Sequence, residues 1–449
     1  MIIKNARLVN PADGRDEICR ITIEDGLIKE IVGQASQEEY SGKTGDGLFG
    51  GDPFGRASAE EDGQDASQEI LDAKGCIVAP GLVDVHVHFR DPGFTYKEDI
   101  ESGSLAAAKG GYTSVVLMAN TKPVADGEET LSYILEKAGK MPVHVYSCAC
   151  VTKGMKGREL VDMEKLLQCG AVGFTDDGLP LMEADVARKA MEEAARLDVP
   201  ISFHEEDPSL ITNPGINQGK VSERLGIGGS PREAEITMIE RDLALALETG
   251  AAVDIQHIST KEGVELVRQA RKKSGKIHAE ATPHHFSLTE EAVLEHGTLA
   301  KMNPPLRTED DRQAVIEGLK DGSIDLIATD HAPHSEQEKA KPLTEAPSGI
   351  IGLETALPLA ITNLVHAGHL TMMELMDRMS YAPAKLYHLN AGSVEVGKPA
   401  DIVIFNEQEK GPAGPFLSKS QNSPFAGQTL DGVVEYTICG GKIVYSRKR

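Results

Sequence analysis

The residues able to do chemistry in this chain are paired imidazoles and single carboxylates. His86 and His88 stand two apart, after Asp84, in an apolar run. On an extended strand that spacing puts both rings on one face, where they can grip one metal ion. His204 and His257 each close a later apolar run and can grip a second ion, while Asp177 and Asp330 supply carboxylates at the ends of two further runs. Imidazole and carboxylate donors together suit zinc, with other divalent ions open on donor chemistry alone. A lone histidine at a strand end is more often a core or surface residue than a ligand. Recurrence at three separate strand ends, next to two carboxylates, outweighs that plain alternative.

The remaining histidines do not share the pattern. His144 and His278 lie inside apolar runs and read as packing residues. His296, His366, His369 and His388 lie on helical segments or their ends, facing solvent or partly buried. His284, His285 and His331 fall near the metal-ligating positions and read as supporting or structural. Cys148 and Cys150 alternate on one strand face; with better ligands present, they read as core.

Something must bring these positions together. Short apolar runs at 82–88, 113–120, 143–151, 171–177, 200–204, 253–257, 277–282 and 324–330 alternate with amphipathic segments of helical length. Acids at the starts and glycines at the ends of several such segments mark helix boundaries. Eight strands alternating with helices predict an α/β fold, a (β/α)8 TIM-like barrel. In every run but the third, distinctive polar residues sit at or just past the C-terminal end, the rim where such barrels carry their sites. That placement favours the barrel over a doubly wound open sheet.

At the two ends of the chain the period changes to two. MIIKNARLVN and ICRITIEDGLIKEIVG alternate apolar and polar residues around an Asp-Gly turn, and the pattern returns at 401–406, 433–437 and 442–445. These segments predict one small β domain built from both termini, 1–75 with 392–449, around a barrel at 76–391. Within it, 34–69 is an acidic, Gly-rich insertion with no sustained apolar period, expected to be a mobile surface segment.

The chain has 449 residues, with 46 Lys plus Arg against 70 Asp plus Glu, a net charge of −24. Such acidity disfavours nucleic acid and anionic membranes as partners, which require a basic footprint. It does not exclude an anionic small-molecule substrate, if the site supplies its own positive charge. The six cysteines form no C-x-x-C pair, and the N-terminus shows no basic stretch followed by a long apolar one. Reduced cysteines and a cytoplasmic, non-membrane protein are the expectation.

Two longer motifs carry a resemblance. Asp84, His86, His88, Phe89, Arg90, Asp91, Pro92 and Gly93 form one; Thr329, Asp330, His331, Ala332, Pro333 and His334, followed by Lys339, form the other. With Gly173 to Gly178, Lys301 to Arg307 and Ala346 to Glu354, the chain resembles the bacterial type I dihydroorotases of the cyclic amidohydrolase superfamily. The likeness runs over nearly the whole chain except 34–69, which such enzymes usually replace with a short turn. It implies reversible closure of N-carbamoyl-L-aspartate to L-dihydroorotate and water in pyrimidine biosynthesis.

By position, the resemblance implies that His86, His88 and Asp330 hold one zinc ion and that His204 and His257 hold the other. Asp177, rather than its neighbour Asp176, bridges them. Many relatives, including hydantoinases and allantoinases, use a carboxylated lysine there, and this chain has none at that strand end. Asp330 is then also the general acid and base. Arg90, Asn120 and His334 hold the substrate carboxylate, with His88 alongside, and Asn303 and the backbone near Ser348 and Gly349 contact the ring. A homodimer and a complex with aspartate transcarbamoylase are the implied assemblies. Another cyclic amidohydrolase activity, or an inactive scaffold for aspartate transcarbamoylase, are the rival readings. An inactive scaffold is expected to have lost metal ligands, and all six positions are filled here.

Overall fold

A computed structural model describes residues 1–33 and 69–447. The insertion expected at 34–69 lies, except for Glu69, outside the described residues.

The alternating segments at both termini join one sheet. β1 (Ile2–Asn10), β2 (Arg15–Glu24) and β3 (Leu27–Gly33) form an antiparallel meander. The β2–β3 turn is Asp25-Gly26, with φ of 53° and 79°. Two consecutive positive φ values are what a tight hairpin turn demands, and Asp-Gly supplies them cheaply. β4 (Ile70–Asp72) and β5 (Ile77–Pro80) pair with β1 in parallel.

The far end of the chain completes this sheet. β14 (Ile402–Pro412), β15 (Thr429–Cys439) and β16 (Lys442–Ser446) add antiparallel strands, β14 lying directly against β5. Alternate side chains, Ile3, Leu8, Cys19, Ile21, Ile23, Ile402, Ile404 and Ile438, bury one common apolar face. The strand just past the boundary expected between 75 and 76 also belongs to this sheet. The sheet runs on through Pro80, because β5 is held on one side by β1 and on the other by β14.

The central part alternates strand and helix. Its strands, all in parallel pairs, are β6 (Leu82–Val87), β7 (Tyr112–Leu117), β8 (His144–Ser147), β9 (Phe174–Thr175), β10 (Ile201–Phe203), β11 (Val253–Ile255), β12 (Ile277–Ala281) and β13 (Leu326–Ile327). They form an arc of three, β6-β7-β8, and an arc of five, β9 to β13. Single parallel bridges, Ala149 to Phe174 and Val87 to His331, join the arcs at both edges. The architecture is α/β with parallel strands, as the sequence predicts.

The intervening helices include Ile100–Gly110, Ala184–Leu197, Arg232–Thr249 and Glu309–Asp321. The first shows how local sequence sets their ends. The Asp99 side chain accepts the Ser102 N–H at 2.8 Å, and Gly111 closes the helix at φ 92°. A capping carboxylate satisfies an orphan donor, and glycine takes the left-handed conformation without a Cβ penalty. Cys148 and Cys150 are fully buried, as expected for core residues. Cys148 packs with Val83, Val85, Val116, Leu326 and Tyr387.

Candidate metal centre and active site

The C-terminal ends of five parallel strands deliver the six candidate ligands to one place. His86 is the penultimate residue of β6 and His88 follows the strand, Asp177 follows β9, His204 follows β10, His257 follows β11 and Asp330 follows β13. None of these residues is more than 7% exposed. His86 Nε2 lies 3.4 Å from Asp177 Oδ1 and 3.6 Å from Asp330 Oδ1. His88 Nε2 lies 3.0 Å from Asp330 Oδ1 and 3.4 Å from Asp177 Oδ2. On the other side, His204 Nδ1 and His257 Nε2 face each other at 3.0 Å, each 3.9 Å from Asp177 Oδ1. Asp177 therefore belongs to two donor groups, one with His86 and His88 and one with His204 and His257.

This donor set fits divalent metal binding. Four imidazole nitrogens and two carboxylates converge with their lone pairs turned inward. His86 Nε2 is buried without a hydrogen-bond partner, an expense that a ligand position explains. Backbone strain is present here as well: His257, Asp330 and the adjacent Arg90 have φ of 36°, 48° and 59°. Non-glycine residues in that region cost about 1–3 kcal/mol each and gather where a site dictates the geometry.

Electrostatics follow from the same crowding. Burial by itself would raise the Asp177 carboxyl, yet His86, His88 and His204 hold it far below the ordinary range. Burial opposes charge on His86, but Glu280 and Asp177 push it well up. Burial and its neighbours His204 and His86 push His257 well down, so it is a neutral donor.

The adjacent carboxylates Asp176 and Asp177 separate cleanly. Asp176 turns away and accepts the backbone N–H groups of Val151 and Thr152 at 2.8 and 3.2 Å. Glu280, in the middle of β12, was not singled out from sequence, yet its Oε2 lies 2.8 Å from His86 Nδ1. Its sequence signal is a charged residue inside a short, mostly apolar strand. Glu206, two residues past His204, lies 3.5 Å from His204 Nε2.

The candidate substrate contacts surround this centre. The Asn120 carbonyl lies 3.0 Å from His88 Nδ1, and its amide donates to the Asp177 side chain at 3.1 Å. Asn303 Nδ2 lies 3.2 Å from His204 Nε2, while its Oδ1 is buried and unpaired. Arg90 Nε donates to the Pro333 carbonyl at 3.3 Å. His334 Nε2 lies 2.8 Å from the Ser348 carbonyl and its Nδ1 lies 3.2 Å from Lys97 Nζ. Burial, with Arg90, Lys97 and Lys339 nearby, keeps His334 neutral. The Gly349 N–H donates to the Lys301 carbonyl at 2.8 Å. Two lysines pin the segment carrying Ser348: Lys301 Nζ donates to the Leu343 and Ala346 carbonyls, and Lys339 Nζ to the Pro347 carbonyl.

Of the other histidines, His285 is buried and bonds to Thr282 Oγ1 and the Pro304 carbonyl. His331 is buried 3.4 Å from Glu98. The two expected to be packing residues differ from that expectation. His278 lies 2.7 Å from Asp325 and His144 lies 3.0 Å from Asp401, both partly exposed at the outer ends of their strands.

Fold and site together are those of an amidohydrolase. The sequence model of the amidohydrolase family matches residues 77–444. The dihydroorotase of Clostridioides difficile (strain 630) is 54% identical over 446 residues, covering 99% of this chain and all of that protein. The dihydroorotase of Lactococcus lactis subsp. lactis (strain IL1403) is 48% identical over 449 residues, with full coverage of both. Among solved structures, the L-hydantoinase of Arthrobacter aurescens superposes with a TM-score of 0.82 at 26% identity, over 99% of this chain and 96% of that one. The chain belongs to the amidohydrolase family, in its dihydroorotase branch. Among the described residues no helix is long and apolar enough to cross a membrane.

Proposed function

We propose that this chain catalyses the reversible closure of N-carbamoyl-L-aspartate to L-dihydroorotate and water, a step of pyrimidine (UMP) biosynthesis. We further propose that its site holds two zinc ions with Asp177 between them. The observation that carries this reading is one carboxylate shared by two histidine pairs, with His88 of one pair 3.0 Å from Asp330, in a chain 54% identical to a dihydroorotase. The two bridged arcs of parallel strands support a closed (β/α)8 barrel around this site. The shared terminal sheet supports a composite β domain.

When bound, the ions supply Lewis acidity, which acidifies water and polarises a carbonyl near neutral pH. His86, His88 and Asp330 hold one ion and His204 and His257 the other. In the hydrolytic direction Asp330 accepts a proton from water and returns it to the departing ring nitrogen. In the synthetic direction it takes that proton from the carbamoyl nitrogen. Arg90 presents a planar fork to the substrate carboxylate. Asn120 keeps His88 and Asp177 oriented from beside the same pocket, and neutral His334 completes its wall with Ser348 and Gly349. The unpaired Oδ1 of Asn303 can accept a ring N–H. The family likeness also supports a cytoplasmic homodimer, acting alone or with aspartate transcarbamoylase.

The test is to measure turnover of dihydroorotate, N-carbamoyl-L-aspartate and hydantoin before and after chelation, with metal counted per chain. Dihydroorotate turnover that is lost on chelation and restored by zinc is expected. Turnover of hydantoin alone, or full activity without metal, overturns the reading.

A further inference from the structure

A separate cluster of ligating side chains lies at the other end of the strands. His144 opens β8, so it sits at the N-terminal end of a strand whose parallel neighbours carry the active site past their C-terminal ends. Asp401 precedes β14 and Cys439 ends β15. The three offer one nitrogen, one oxygen and one sulfur, all within 4.8 Å of one another. Asp401 and Cys439 are 4% and 7% exposed, and His144 and Cys439 line an open cleft of about 890 Å³ with Pro142, Gly440 and Lys442.

The cluster is built rather than incidental. Asp401 is fixed by its neighbours: Oδ1 accepts the Gly440 N–H at 2.7 Å, and its own carbonyl accepts the Gly81 N–H at 2.9 Å. Its second oxygen, Oδ2, is thereby aimed at His144 Nε2, 3.0 Å away. A Cys-His-Asp set resembles a nucleophilic triad in composition. Burial, however, pushes the Cys439 thiol up, so it remains protonated near neutral pH and is a poor nucleophile.

We propose that His144, Asp401 and Cys439 bind a zinc-class divalent ion, distinct from the active-site pair. Thiolate, imidazole and carboxylate are the donors such ions prefer, at bonds of ~2.0–2.3 Å, and their present spacing is close to what those bonds span. The ion replaces two protons, the one shared by His144 and Asp401 and the one on the Cys439 thiol; both pass to solvent. Because His144 belongs to the central strands and the other two ligands to the terminal sheet, the ion clips these parts of the chain together. This inference does not depend on the catalytic reading.

The active-site ligand set contains no sulfur, which makes the test specific. The full-length enzyme, with its active site already loaded with zinc, is titrated with Cd2+ or Co2+ while thiolate-to-metal charge-transfer absorption is followed. The expected result is one further ion per chain and a saturable thiolate band. Cys439→Ser abolishes that band while leaving dihydroorotate turnover unchanged, and His144→Asn weakens the binding at least tenfold. A raised thermal midpoint on metal addition, absent in Cys439→Ser, reports the clip. A wild-type protein that shows no thiolate band with excess Cd2+ overturns the proposal. So does a band that survives Cys439→Ser, which places the metal on another cysteine.

Discussion

His86 Nδ1 and Glu280 Oε2 lie 2.8 Å apart, and both side chains are fully excluded from solvent. The contact fixes which nitrogen of His86 is left to face Asp177, since a ring whose Nδ1–H is held by a carboxylate presents Nε2 as its lone pair. A residue within one strand thus orients a candidate ligand near the end of another.

Glu280→Gln keeps the shape and removes the charge. Loss of such a partner costs about 10–100-fold in metal affinity or activity. Competition with a chromophoric chelator measures the affinity directly. Unchanged metal retention in Glu280→Gln counts against an orienting role.

Asp330→Asn should leave the fold intact and lower turnover of dihydroorotate by roughly 10²–10⁴-fold, the contribution of positioned acid–base catalysis. Circular dichroism separates this from misfolding, and metal counting separates it from loss of the ion. A variant with normal turnover removes Asp330 from the chemistry.

Arg90→Ala should act on capture more than on the chemical step. Losing charge-assisted hydrogen bonds worth about 1.5–3 kcal/mol raises KM for dihydroorotate roughly 10–100-fold, with a smaller change in kcat. If kcat falls and KM does not move, Arg90 is not the carboxylate clamp.

His144 makes a pH prediction. Its hydrogen bond to Asp401 and the proximity of Cys439, against the opposing effect of burial, raise it from 6.5 to about 10. A raised folded-state pKa means that the folded chain binds the proton more tightly. The stabilisation is fully present below pH 6.5 and is lost as pH rises through about 10. Without added metal, His144→Asn should therefore be less stable than the wild type at pH 6, with the gap closing toward pH 10. Urea midpoints across that range measure it, and a constant gap contradicts the ion pair.

Much of this molecule can be read directly along the chain. The strands of the central part announce themselves because a buried parallel strand is a short apolar run. The candidate ligands announce themselves because His86, His88, Asp177, His204, His257 and Asp330 interrupt or follow those runs at one end. The Asp25-Gly26 turn is equally local, since only a few residue types tolerate two positive φ values in succession.

Other features were settled only by three-dimensional contacts between distant positions. Asp176 and Asp177 are chemically identical neighbours, and only the approach of Val151 and Thr152 draws one away and leaves the other among the histidines. Glu280 is 194 positions from His86. His144 sits in an apolar run, so its local pattern indicates packing; its pairing with Asp401, 257 positions away, depends on the terminal sheet folding back over the strand. Periodicity along a chain determines which face of an element is buried, because burial is a property of the element. Which polar group meets which is a property of how the elements are brought together, and no local pattern carries it.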